Sequence, residues 1–152
     1  MANTQAMCTS FLGELMTATH NFTTSTGNTF KAALYLASAT VNASTTAYSA
    51  TGEVTGTNYT AGGVTVTNGT SPLSSNTSTT AGTGYWTPSA SITYTNVTLT
   101  TAFDAVLIYN SSSSNKAVSV HTFGSQTVTA GTFTLTMPSN TTSTALIRLA
   151  TT

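Results

Sequence analysis

The stretch "AFDAVLIYNSSSSNKAVSVHTFG" (102–124) decides the fold. Its first nine residues are almost continuously apolar, as a central strand covered on both faces is. The polar link "SSSSNK" (111–116) then leads into "AVSVHTFG" (117–124), so the whole reads as an antiparallel hairpin with a short loop.

Outward from that hairpin, strand signals continue in both directions. "TFKAALYLA" (29–37) sets Phe30, Ala32, Leu34 and Leu36 on one face and Lys31, Ala33 and Tyr35 on the other. "GGVTVTNGT" alternates Val64 and Val66 with Thr before an Asn68-Gly69 turn signal. "TSPLSSNTSTTAGTG" (70–84) is polar and low in complexity, which predicts an exposed loop. "YWTPSASITYTNVTLT" (85–100) carries an alternating run, and Pro88 confines any strand there to an edge or a strand start. "QTVTAGTFTLTMP" (126–138) predicts two short strands about Ala130-Gly131, and "TALIRLA" (144–150) a last one. The pattern predicts an all-β chain: an antiparallel β-sandwich of jelly-roll or Ig-like type, spanning 29–152. Leu34, Leu36, Val106, Ile108, Val118, Val120, Phe133 and Leu135 are its expected core.

Residues 1–28 differ. From Gln5 to about Thr19, Met7, Phe11 and Leu15 recur at i, i+4 and i+8, with Leu12 and Met16 widening the stripe. That spacing predicts a short N-terminal α-helix capped by Asn3 or Thr4. A helix of that length is marginal alone in water, so it must dock. Its groove is either on its own β-domain or on a neighbour; we expect it to reach a neighbouring subunit as an assembly arm, with Met7, Phe11, Leu15 and Met16 at the interface. On that reading, removing residues 1–22 leaves a folded β-domain.

Composition narrows the partners. Only 4% of the 152 residues are charged (Glu14, Glu53, Asp104, Lys31, Lys116 and Arg148), and they sum to zero; about a quarter is usual. Thr fills roughly a quarter of the positions, and its branched Cβ suits a strand. Little charge means little self-repulsion, which favours association with copies of itself or with partners. Three scattered cations do not make a phosphate-binding surface, so no nucleic acid is expected. No apolar stretch approaches the length of a membrane helix, so no membrane is expected either. The start lacks the basic and apolar regions of a secretory leader, and the single Cys8 allows no internal disulfide. Without a leader, eight Asn-X-Ser/Thr triplets read as chance in so hydroxyl-rich a chain.

Signals for chemistry are weak throughout. "GEVTGTNYTAGGV" (52–64) is glycine-rich, but it has neither the Lys-Ser/Thr of a phosphate loop nor a βαβ setting. We expect its glycines to supply positive φ at a turn. A nucleophilic triad would need His20 or His121 with Asp104 or Glu53, on unrelated segments. Paired carboxylates for glycoside hydrolysis would have to be Glu53 and Asp104. His121 reads as a surface or interface histidine, and Asp104 as a cap or turn residue. No metal-ligand spacing appears. Tyr59, Tyr85 and Trp86 are candidates for a sugar-stacking platform, or else core residues. No catalytic residue, cofactor or metal site is predicted.

Two stretches, "KAALYLASATVNASTTAYSATGEVTGTNYTAGGVTVTNG" (31–69) and "AVLIYNSSSSNKAVSVHTFGSQTVTAGTFTLTMP" (105–138), resemble small virion structural proteins of tailed bacteriophages. Within that group the likeness is greatest to capsid decoration, or cement, proteins. The pattern "GTxYTAGGV" followed by "LIYN…K…V…FG" carries it, and it brings no catalytic residues. The resemblance implies a non-enzymatic protein on the capsid surface, assembled in the host cytoplasm. Its implied partners are the major capsid protein and copies of itself, as a dimer or trimer. Alternatives are a tail, neck or baseplate component, or a β-sandwich carbohydrate-binding module for adhesion.

Overall fold

The computed structural model describes residues 2–77 and 80–151. In chain order the elements are β1 (Ala6–Met7), α1 (Thr9–Met16), β2 (Phe30–Leu36), β3 (Val64–Thr65) and β4 (Leu73–Thr77). There follow β5 (Thr80–Trp86), β6 (Ile92–Asn110), β7 (Lys116–Leu135) and β8 (Ile147–Ala150). They form two antiparallel sheets, a five-stranded one ordered β1-β7-β6-β2-β3 and a three-stranded one ordered β4-β5-β8. The chain is thus an all-β sandwich with one short helix.

The hairpin read from 102–124 lies at the centre of the larger sheet. The second half of β6, Phe103–Asn110, is paired on one side with β2 and on the other with β7. That double pairing, with both faces covered, is why it is continuously apolar. The first half of β6 pairs with the far half of β7, Ile92 with Leu135 through Leu99 with Val128, and on its other side makes a single bridge, Thr98 to Thr57. There burial alternates along the strand, and so does the sequence. Of the expected core, Leu34, Val106, Ile108, Val118 and Val120 are almost wholly buried, while Leu36, Phe133 and Leu135 pack at its margin.

Several expectations are corrected. The long strands β6 and β7 run 19 and 20 residues where short strands were expected. Ala130-Gly131 is not a break between two strands. Ala130 takes φ 46° inside β7, and Asn96 takes φ 53° in β6 where the register shifts, so both are bulges in a continuous ladder. Segment 70–84 is not a loop: β4 and β5 pair antiparallel, and only its tip at 78–79 lies outside the described residues. Asn68-Gly69 is not a hairpin turn. The Asn68 amide instead donates to Phe22 O at 2.8 Å and accepts from Trp86 Nε1 at 3.1 Å, joining three segments.

The N-terminal segment is woven into the body. β1 pairs with β7, Ala6 opposite Val120. Met7 is therefore a strand residue, and the helix starts only at Thr9 with Cys8 as its cap residue and no side-chain cap bond. Asn3 caps nothing; it donates to Asp104 Oδ1 at 2.6 Å and to Leu36 O, and accepts from Val41 N. The helix ends where Ala18 turns left-handed at φ 55°, with Thr19 N bonded to Glu14 O and Ala18 N to Leu15 O.

Candidate functional site

Burial of Glu53 answers the question posed by the glycine-rich loop. Its carboxylate, 6% exposed, accepts from Tyr48 OH at 2.6 Å, Tyr59 OH at 2.7 Å and Gly62 N at 2.7 Å. Among the described residues it makes no ion pair. The loop can present its N–H groups inward because Gly62 and Gly63 take φ 87° and 71°. A Cβ on Gly63 would land on the carbonyl oxygen of Ala32. Tyr109 OH closes the loop from beneath by donating to Gly62 O at 2.8 Å. The glycines thus wrap the backbone around an internal carboxylate. Burial and the bond to Glu53 push the phenols of Tyr48 and Tyr59 well above the usual tyrosine range. Burial takes Tyr35, which donates to Ser49 O, up to about 12.

The other charged and reactive groups are also engaged. Glu14, on α1, meets Lys116 Nζ at 2.6 Å and His20 Nε2 at 2.7 Å, and His20 Nδ1 lies 3.1 Å from Asn110 Nδ2. Partial burial raises the Glu14 carboxyl, but the bonds and charge of Lys116 and His20 outweigh that and hold it below the ordinary range. This cluster ties the helix to β6 and β7. Asp104 serves Asn3, as an anchor for the N-terminal segment, and Glu53 belongs to a different network. His121 is half-buried against Ser119 Oγ at 2.9 Å, and burial holds its imidazole down at about 4. Cys8 is fully buried, and burial pushes its thiol up to about 11, with the Glu14 charge adding to it. A thiol so placed is inert. Among the described residues no group of three or more His, Cys, Asp or Glu is placed to hold a metal ion. No helix is long and apolar enough to cross a membrane.

Of the two readings of the aromatics, Tyr59 and Trp86 follow the core one. Tyr59 turns inward to Glu53, and Trp86, 2% exposed, packs its ring 4.7 Å from Phe22. Trp86 Nε1 is satisfied by Asn68 Oδ1 and Thr70 O.

What remains open is apolar. Between α1 and the three-stranded sheet lies an open groove of about 150 Å³ with wholly apolar walls, formed by Phe11, Leu15, Phe22, Leu73, Trp86 and Leu149 among others. Among the described residues the large apolar side chains left exposed are Leu12 at 45%, Met16 at 85%, Leu73 at 49% and Leu149 at 44%, of which Leu73 and Leu149 belong to the groove's lining. Of the predicted arm residues, Phe11 is fully buried within its own chain, its ring 5.0 Å from His20 and 6.0 Å from Phe22. Met7 and Leu15 are half-buried, and only Met16 stands out into solvent. Leu12 was visible in the helical stripe. Leu73 lay in a stretch of Ser, Asn and Thr and Leu149 in the last predicted strand; the pairing of β4, β5 and β8 puts them in one sheet, Leu73 on the face of Tyr85 and Arg148 and Leu149 on the face of Gly84.

Compared with protein-family models, curated proteins and solved structures, the chain matches none.

Proposed function

We propose that the chain is a non-enzymatic structural protein of a bacteriophage virion: a cement or decoration protein that braces the outer capsid surface through contacts with the major capsid protein and with copies of itself. The observation that carries this reading is an inversion of the usual surface. Of six charged side chains only Arg148 is exposed, one is buried and four are half-buried, while four large apolar side chains are exposed and an apolar groove lies open between α1 and the three-stranded sheet. Apolar surface left open in this way marks a site of interaction; a lattice component covers it. The resemblance of 31–69 and 105–138 to phage virion proteins supports the same role.

Copy number tests it. In purified particles, stained gels are expected to show this chain in amounts comparable with the major capsid protein. A few copies per particle would replace the cement role with a tail, neck or baseplate one. Absence from particles would overturn the virion reading altogether.

A further inference from the structure

We infer that the face of the three-stranded sheet carrying Arg148 docks an acidic segment of a different protein, whose carboxylate pairs with Arg148 while its apolar neighbours cover Leu73 and Tyr85. The inference rests on the proposed structural role, under which that protein is the major capsid protein, and names the contact. Strand register builds the face. Leu73 on β4 lies opposite Tyr85 on β5, and Tyr85 lies opposite Arg148 on β8, so the three side chains form one row on the same side of the sheet. Alternation sends Trp86 and Ile147 to the other side, where both are buried. The row spans roughly 10 Å, two strand spacings. Leu73 is 49% exposed and Arg148 is exposed, with half-buried Tyr85 between them. Ser75, Thr83 and Ala150 make the next row on the same face, a margin of small side chains.

Charge selects the occupant. Arg148 is the one charged side chain exposed among the described residues, and it makes no ion pair there; both ion pairs belong to Glu14, with His20 and Lys116. The Tyr85 hydroxyl likewise has no hydrogen-bond partner among those residues. A second copy does not complete the site. It offers Arg148 only another Arg148 or uncharged groups, because no Asp or Glu side chain among the described residues is exposed to meet it. The acid therefore comes from another chain. Arginine suits that contact: its guanidinium is weakly hydrated, and its planar fork takes a carboxylate through two parallel hydrogen bonds. Tyr and Arg side by side, bordered by small residues that exclude water, are also the types that carry most of the energy in protein contacts.

Rebinding to particles tests it. Purified particles stripped of this chain are mixed with the full recombinant chain, and uptake is read by co-sedimentation. Arg148→Gln is expected to weaken uptake at least ~10-fold, and Leu73→Ser at least ~3-fold. Both side chains stand in solvent, so each variant should keep the wild-type thermal midpoint. Arg148→Lys keeps the charge without the fork and should recover only part of the loss. Self-association in sedimentation velocity should be unchanged in all three. Uptake of Arg148→Gln equal to that of the wild type overturns the inference, as do stripped particles that take up no wild-type chain. Loss of self-association in Arg148→Gln overturns it as well, since that outcome puts a second copy on this face. The structural role is read separately, from the particle gels. A chain abundant in particles but indifferent to Arg148→Gln keeps that role and loses only this contact.

Discussion

Glu53 is held by donors alone, and that makes its replacement informative. Alanine would strand Tyr48 OH, Tyr59 OH and the Gly62 N–H without an acceptor, each an unmet buried donor worth about 1–3 kcal/mol. Glu53→Ala is expected to cost on the order of 3 kcal/mol or more in denaturant unfolding. Glutamine keeps one acceptor oxygen for Tyr59 and Gly62, and the Tyr48 hydroxyl can rotate to accept, so Glu53→Gln should cost only ~1 kcal/mol. Equal losses would mean that the carboxylate's charge, not its acceptor geometry, holds the loop. Gly63→Val, which drives a Cβ into the Ala32 carbonyl at positive φ, should prevent soluble folding. Millimolar ATP, GTP or NAD should leave the melting temperature of the wild type unmoved. The surrounding phenols fix a pH limit. A tyrosine whose folded pKa is raised stabilises the fold fully below its unfolded value of 10.0 and loses that contribution as pH rises toward the folded one. Tyr35, Tyr48, Tyr59, Tyr94 and Tyr109 are all raised, first by burial. In an alkaline titration, tyrosinate absorbance from these five should appear only together with cooperative unfolding above about pH 10. A gradual rise with the fold intact would show that their burial is loose. None of this network was legible beforehand, because Glu53 reads as one of three scattered acids and its partners are spread over 48–62. The positive φ at Gly62-Gly63 was legible, since paired glycines before an alternating run serve few other purposes.

At the scale of elements, legibility followed hydrophobic contrast. β2 and the touching halves of β6 and β7 announce themselves because a doubly covered strand has to be apolar in every position. β4 and most of β5 read as loop because "LSSNT" and "TAGTG" are built largely of Ser, Thr, Gly and Asn, and their apolar residues do not gather on one face: Leu73 and Tyr85 lie on one side of the sheet and Trp86 on the other. β1 read as helix because two strand residues are too few to show a period, and Met7 falls by accident four before Phe11. That error has a consequence for the arm. Deleting residues 1–22 removes β1, the Asn3–Asp104 bond, Phe11, Phe22 and the Glu14–Lys116–His20 cluster. The truncated chain is therefore expected to lose its cooperative melt, reversing the expectation drawn from sequence. Glu14→Gln is the milder probe, since it weakens the clamp without baring the core. It should lower stability by ~1 kcal/mol at neutral pH and by progressively less in acid. The Glu14 carboxyl is held below its ordinary range, so its contribution is fully present above that range and vanishes as pH falls through the folded value. A difference between wild type and Glu14→Gln that persists in strong acid would show that the side chain acts through packing.

Across the whole molecule, charge has been withdrawn from the surface, and its absence sets how copies can hold together. With net charge zero and Arg148 the exposed exception, contact between copies or with a capsid has almost no long-range electrostatic component. Screening therefore has little to act on: the Debye length falls from about 30 Å at 0.01 M salt to 3 Å at 1 M, but only between charges that are present. What remains is apolar burial at exposed side chains such as Leu12, Met16, Leu73 and Leu149 and short-range bonds from the many Thr and Ser hydroxyls. Burial of apolar surface strengthens in sulfate, which is excluded from protein surfaces, and carries a negative heat-capacity change. Self-association measured by sedimentation is thus expected to vary less than ~2-fold across that range of sodium chloride, to tighten in ammonium sulfate and to show negative ΔCp by calorimetry. Weakening by tenfold or more in sodium chloride would point instead to Arg148 pairing with a carboxylate across the contact. Among the described residues no Asp or Glu side chain is exposed: Glu53 is enclosed by tyrosines, Glu14 is held by Lys116 and His20, and Asp104 is bonded to Asn3. A salt-sensitive contact would then have to draw its acid from a different protein, and Arg148→Gln should abolish the sensitivity while Met16→Glu leaves it in place.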